Sequence, residues 1–405
     1  MAGTFRSKKY SIALLSLIFI INPFFACISS IAMLKNSNLN VKLLYFFIAI
    51  FIGLLAFTQY SPNGDISRTY HIINSISDFS IANFFIYLVT DRYIIYTAVN
   101  FLITKIVGNV QYTSLFWGFL MYYICFLTIL NLEKYFENKN EKKRFVLLSV
   151  VFCFVIFVET MEVMKQAVAT SIMFYSFSYY LLDKRLKCIV AFILSLGVHF
   201  SPLFMLPLFF IKKMNSAFIY IMLLLSFLLR NINLMEISTQ VLNWVGLFPS
   251  VASVADSYTE QNFNNFFSNA PYFQFTFGFL CSIVLLNRIL VSRSSDIIDK
   301  TCLIFIIVLN LNYSNNHNFT RLLLFSFPIY IMIYMNILYR LKNSITKKVL
   351  ILFILSITFF LQFWFSFGRL GTDPLKYQTS FMNNSIVEIV ISPLYSYLNY
   401  KVPVD

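Results

Sequence analysis

Charge is what this chain most lacks. Asp, Glu, Lys and Arg make up 12% of its 405 residues, where a soluble domain carries about 25%. Glycine is also scarce, at 10 residues, and no glycine-rich phosphate-binding loop occurs. No Cys-x-x-Cys pair occurs, and none of the three histidines adjoins a cysteine. The six cysteines, Cys27, Cys125, Cys153, Cys188, Cys281 and Cys302, lie in or beside apolar runs and read as small buried hydrophobes. They do not read as disulfides or metal ligands.

Apolar residues are abundant: 59% of the chain, including 48 Phe, with a mean hydropathy of +0.74. One soluble core cannot hide that much Phe, Ile and Leu. A soluble enzyme, a nucleic-acid binder and a disordered chain are excluded. The net charge of +14 sits in short clusters between apolar runs, not on one hydrated face. That is the pattern of a membrane protein and not of a nucleic-acid partner. The N-terminus, MAGTFRSKKY before an apolar run, resembles a signal peptide. The run is too long for one, so an uncleaved first membrane segment is expected.

The expected fold class is an all-α polytopic integral membrane protein of about 10–13 spans, each needing about 20 apolar residues. The candidate segments are 11–34, 42–58, 112–132, 145–158, 166–182, 188–211, 214–229, 272–291, 301–312, 322–339 and 349–367. Segment 93–108, with Asn100 and Lys105, reads as a short span or an interfacial helix. One transmembrane domain is expected over 1–405, with external segments 59–92, 230–271 and 368–405 that carry short helices. Basic clusters at 1–10, 35–42, 133–144, 183–187, 212–213, 288–300 and 340–348 mark the cytoplasmic side. They hold twenty-two of the 31 basic residues. Segments 11–34 and 188–211 have basic residues at both ends, with Asn22-Pro23 and His199-Phe200-Ser201-Pro202 inside. Both read as broken or re-entrant helices, which are tolerated at membrane depth only beside protein or water.

Nine basic residues stay on the external side: Arg68, Arg92, Lys105, Lys165, Arg230, Arg321, Arg369, Lys376 and Lys401. Positive-inside sorting disfavours them there, so each calls for a reason. Four clusters could carry chemistry. Asp65, Arg68, Tyr70 and His71 follow the second span, and an Arg fork there could bind diphosphate oxygens. A turn with a surface Asp–Arg pair would read the same way. Glu159, Glu162, Lys165 and Gln166 form either a solvated ion-paired turn or a polar entry to a span, which is costly and so points to function. His199 lies in an apolar run at a helix break. It is either a satisfied core residue or a group able to take a sugar hydroxyl proton near neutral pH. Arg321 stands at the external mouth of a span, where it could also be a snorkelling anchor. Trp117, Trp244 and Trp364 read as belt or packing residues.

These residues resemble the Wzy-type O-antigen polymerases, and more closely their EpsG-like branch, over roughly residues 40–370. Four short elements carry the resemblance. They are Asp65, Arg68 and Tyr70 as acidic-x-x-Arg-x-Tyr; Lys165, Gln166 and Ala169 as basic-Gln-x-x-Ala; His199, Ser201 and Pro202 as His-x-Ser-Pro; and the late Arg321. The family commonly has Arg where this chain has Lys165. The resemblance implies a glycosyltransferase of the bacterial inner membrane that polymerises repeat units at the periplasmic face. It would serve O-antigen, capsule or exopolysaccharide synthesis. The substrate would be an undecaprenyl-diphosphate-linked oligosaccharide, and no metal or nucleotide cofactor is implied. Membrane lipid, a flippase and a chain-length regulator are the implied surroundings. Asp65, Glu162 and His199 are the candidate catalytic groups, with His199 and Asp65 ranked first as base. Arg68, Tyr70, Arg92, Lys165, Gln166 and Arg321 are the candidate substrate-binding groups. Competing readings are a lipid-linked oligosaccharide flippase or other transporter, an O-antigen ligase, and a membrane acyltransferase. A transporter should show paired repeats, and a ligase should show a large basic external loop, yet 230–271 holds only Arg230.

Overall fold

A computed structural model describes residues 2–34, 40–58, 65–136, 163–232, 296–314, 326–340 and 391–399, with scattered positions between them. The described residues are helical, and none is in a strand. The chain divides into two compact units: Met1–Pro202 with Leu350–Asp405, and Leu203–Val349.

The first unit holds α1 (Ala2–Ile21), α2 (Pro23–Met33), α3 (Val41–Phe57), α4 (Asp65–Ser77), α5 (Ile81–Thr90), α6 (Ile94–Val107), α7 (Gln111–Tyr135), α8 (Met164–Leu181) and α9 (Arg185–Val198). The break expected at Asn22-Pro23 is present. Asn22 leaves the helical region, and its side chain caps α2 by accepting from the Phe25 N–H at 3.0 Å. Pro23 then occupies the first turn of α2, where its missing N–H costs nothing. The second break falls at His199, whose backbone is extended, and a ten-residue 3-10 segment, Ser201–Phe210, follows it. Short helices occur in the expected external segments: α4 and α5 within 59–92, and α13 (Leu394–Leu398) within 368–405.

Side-chain contacts give the register of the central helices. Tyr45 stacks on Phe126 and Phe57 meets Tyr112, so α3 and α7 are antiparallel. Cys125 pairs with Ser171 and Asn131 with Ser178, so α7 and α8 are parallel. The Ser176 hydroxyl donates to the Cys188 carbonyl, and a tight turn at Asp183 returns the chain, so α9 is antiparallel to α8. The ends of α3 and α9 therefore lie with the starts of α7 and α8. The opposite end carries Lys42, Lys134, Lys184, Arg185 and Lys187.

α3 and α7 cross closely because Gly53, Ala56 and Gly118 meet there. A Cβ on Gly53 would stand 2.7 Å from the Leu115 carbonyl oxygen, and one on Gly118 would stand 2.7 Å from the Ala56 Cβ. Backbone cannot yield as a side-chain tip can. Gly53→Val is therefore expected to cost about 1–3 kcal/mol, read as a lower melting temperature of the detergent-solubilised protein.

α9 is inverted relative to a soluble helix. Leu186, Ile189, Val190 and Ile193 point outward, while Ala191 and Ser195 point inward. α1 likewise exposes Leu14, Leu17, Ile20 and Ile21. Among the described residues, α7 is the one helix long and apolar enough to cross a membrane by itself.

The second unit holds α10 (Ser216–Leu229), α11 (Asp296–Leu311) and α12 (Phe327–Arg340). α10 packs on α11, and Asn310 donates to the Ser226 hydroxyl at 3.1 Å across that contact. Lys300 is buried and donates to the Met214 carbonyl at 3.0 Å.

Candidate functional site

The site is built at the end of the first unit where α8 starts and α9 stops. His199 follows α9 and is 7% exposed. Its ring stacks on Tyr93 (centroids 5.0 Å, interplanar angle 9°) and on Phe200 (4.8 Å, 18°). The Lys165 ammonium, in the first turn of α8, stands 4.9 Å from the Tyr93 ring centroid and 5.7 Å from that of Tyr96. Tyr93 thus joins the lysine and the histidine. Cation–π contacts of this kind hold an ammonium in an apolar setting.

Tyr93 is itself held by Asp91. That carboxylate accepts from the Tyr93 N–H at 3.1 Å and from the Thr97 hydroxyl, ordering the entry to α6. Burial first, and then the Asp91 charge, raise the Tyr87 phenol above its ordinary pKa. Tyr96 stacks on Trp117 (5.0 Å, 19°), whose indole N–H donates to Asn100 at 2.7 Å. Trp117 is a packing residue of this wall.

His199 Nδ1 accepts the Ser201 backbone N–H at 3.1 Å. The spacing in His-x-Ser-Pro thus has a physical reason. The ring reaches the N–H two residues on, in the manner of an Asx turn, and Pro202 cannot continue the α-helix. Two buried polar atoms on neighbouring residues have no hydrogen-bond partner among the described residues: Ser201 Oγ and Gln166 Oε1, on residues 6% and 5% exposed. Native proteins leave few such atoms, and those they leave need an explanation.

The remaining sequence candidates divide. Tyr70 is 1% exposed, and its hydroxyl pairs with Ser114 at 2.6 Å, so it docks α4 on α7. Arg68 and His71 are exposed on α4, and Asp65 is the first residue of that helix. Arg92 is exposed between Asp91 and Tyr93. The helix register brings α4, Arg92, Lys165 and His199 to one end of the unit. Arg321 is half-buried and belongs to the second unit. In that unit, Arg230 stacks its guanidinium 5.1 Å from the Tyr313 ring centroid. Glu159 and Glu162 lie outside the described residues, as does Cys153. Sequence reasoning missed Tyr93 and Asp91. The signal was present in Asp91-Arg92-Tyr93, an acidic residue just before an apolar helix.

An apolar groove of about 550 Å³ runs along α9 between α6, α7 and α8. Ile95 and Val198 line it next to the histidine, and Leu186 and Lys187 line its far end. At that far end the Tyr175 and Tyr179 hydroxyls pair at 2.6 Å, and Lys187 lies 5.8 Å from the Tyr179 ring centroid.

The model of the EpsG family matches residues 42–379. The chain belongs to the EpsG family. The match spans all four sequence elements, from Asp65 to Arg321. EpsG membership points to polysaccharide polymerisation and to a membrane protein. Neither a curated protein nor a solved structure matches the chain.

Proposed function

We propose that this EpsG-family chain is a multi-pass membrane glycosyltransferase that polymerises oligosaccharide repeat units at the external face of the bacterial plasma membrane. The donor is a glycan on undecaprenyl diphosphate, and the acceptor is the next lipid-linked unit. One observation carries the reading. A buried histidine and a lysine stand at the head of an apolar groove. That arrangement suits a ligand with an anionic head and a long apolar tail. The groove follows α9 from residue 186 to residue 198, about 18 Å at 1.5 Å per residue. The outward Leu and Ile side chains of α1 and α9 support lipid as the surrounding solvent.

The chemistry is a substitution at the anomeric carbon. Its bond to the diphosphate oxygen breaks, and the electron pair leaves with the polyprenyl diphosphate. The acceptor hydroxyl oxygen forms the new glycosidic bond, and its proton is released to a carboxylate, for which Asp65 and Glu162 are the candidates. Charge accumulates on the departing diphosphate. Preorganised donors at a low-dielectric boundary are the effective way to meet it. Lys165, Arg68 and Arg92 of the first unit supply them in this proposal, and Gln166 offers an acceptor to a sugar hydroxyl.

Deletion of the gene tests the reading. A polymerase deletion leaves single capped repeat units at the surface. A ligase deletion leaves lipid-linked polymer, and a flippase deletion leaves neither. Complementation with Arg68→Ala or Arg92→Ala, at wild-type protein levels, is expected to leave single units. Long polymer from both variants would refute the diphosphate role of these arginines.

A further inference from the structure

We infer that His199 enters the reaction as a hydrogen-bond donor through Nε2 and is not the base. The inference rests on the polymerase reading above for its substrate, and on the ring's own hydrogen bond for its chemistry. An imidazole nitrogen that accepts a hydrogen bond carries no proton. Nδ1 accepts the Ser201 N–H at 3.1 Å, so the neutral ring carries its proton on Nε2. To take a proton through Nε2, His199 would first have to carry its proton on Nδ1. That proton would face the Ser201 N–H, donor against donor, in a site nine-tenths buried. Leaving a buried donor unsatisfied in this way is costly. A half-turn of the ring about its Cβ–Cγ bond would carry Nδ1 away from the Ser201 N–H, and the stacking on Tyr93 and Phe200 opposes that turn.

The neighbours suit a donor. The Lys165 ammonium shares the Tyr93 ring with His199. Ser201 Oγ, buried and without a hydrogen-bond partner among the described residues, belongs to the residue whose N–H the ring accepts. Lys165 and His199 thus meet on Tyr93, and Ser201 is tied to the imidazole by its backbone N–H. In the transfer, the bond from the anomeric carbon to the diphosphate oxygen breaks with its electron pair. Nε2–H lends that oxygen a hydrogen bond without giving up its proton. The acceptor's proton leaves to a carboxylate, and that assigns the base to Asp65 or Glu162.

The full-length protein in lipid, labelled with ¹⁵N-histidine, tests the tautomer directly. It has three histidines, and the His199→Gln spectrum identifies the His199 signals by their loss. Protonation at Nε2 with a bare Nδ1 is the expected result, and an Nδ1–H ring overturns the inference. Polymerisation of a lipid-linked repeat unit by three variants tests the role. Gln keeps an N–H donor near the Nε2 position but cannot act as a base, and Phe keeps only the stacking. Elongation by His199→Gln is expected within about tenfold of wild type, while His199→Phe and His199→Ala fall by about 10²–10³-fold. If His199→Gln is as poor as His199→Ala, the residue is a base. If His199→Phe is as active as wild type, the residue only packs. Either outcome overturns the donor role. A wild-type protein with the Nε2–H tautomer that elongates no lipid-linked unit overturns the polymerase reading and the donor role built on it.

Discussion

Lys165→Met is expected to reach the membrane at wild-type levels and to lose repeat-unit polymerisation by about 10²–10³-fold, the cost of removing one preorganised donor from a developing anion. Methionine retains length and apolar contact with Tyr93 and Tyr96. The fold therefore has little reason to change. Lys165 sits in the first turn of α8, the positive end of the helix. A cation there works against the helix dipole. Its placement is poor for the stability of α8 and good for holding an anion, because ammonium and dipole then act together. Lys165→Arg is expected to retain much of the activity, since arginine keeps the charge and its fork suits a diphosphate. Polymer length on a glycan gel and elongation rate with purified lipid-linked substrate give the measurement. If Lys165→Met matches wild type, the ammonium serves only the stacking on Tyr93.

Filling the groove is expected to separate the lipid tail from the chemistry. Val190 and Leu194 line the groove and are exposed. Tryptophan at either position removes tail volume without entering the core. Displacing two or three tail methylenes costs about 2 kcal/mol at about 0.8 kcal/mol each, or about 30-fold in kcat/KM. The loss should fall on KM for the full-length polyprenyl donor. A donor on a lipid too short to reach the substituted residue should be used equally by variant and wild type. Equal loss with both donors would place the damage in the catalytic end. No loss with either would mean that the tail lies elsewhere.

Part of the site is legible in the amino-acid sequence alone. His199 and Lys165 stand out because a polar residue in an apolar run is expensive, and they are the two groups that the fold joins through Tyr93. Tyr70 stands out for its spacing from Asp65 and Arg68, yet it is buried against Ser114. Spacing places Tyr70 on a helix but says nothing of which face of that helix is covered. Tyr93 does not stand out, because one tyrosine among 25 carries no signal until its neighbours are known. The role that the sequence ranks first for His199, that of base, depends on which ring nitrogen holds the proton. That follows from a single backbone N–H two residues away.

The sequence by itself determined the helical class and the two breaks at Asn22 and His199. It also determined the family's four elements and the clustering of basic residues between the apolar runs. These follow from one-dimensional facts: apolar run length, the place of proline and the sign of charge between runs. Only the tertiary structure decided what meets what. It brought residues 93, 165 and 199 together, turned Tyr70 inward, laid a groove along α9, and set the His199 hydrogen bond. The physical reason is that helix periodicity specifies a face only relative to its own axis. The partner of each face depends on the register between helices, which here small residues such as Gly53 and Gly118 set by allowing close approach.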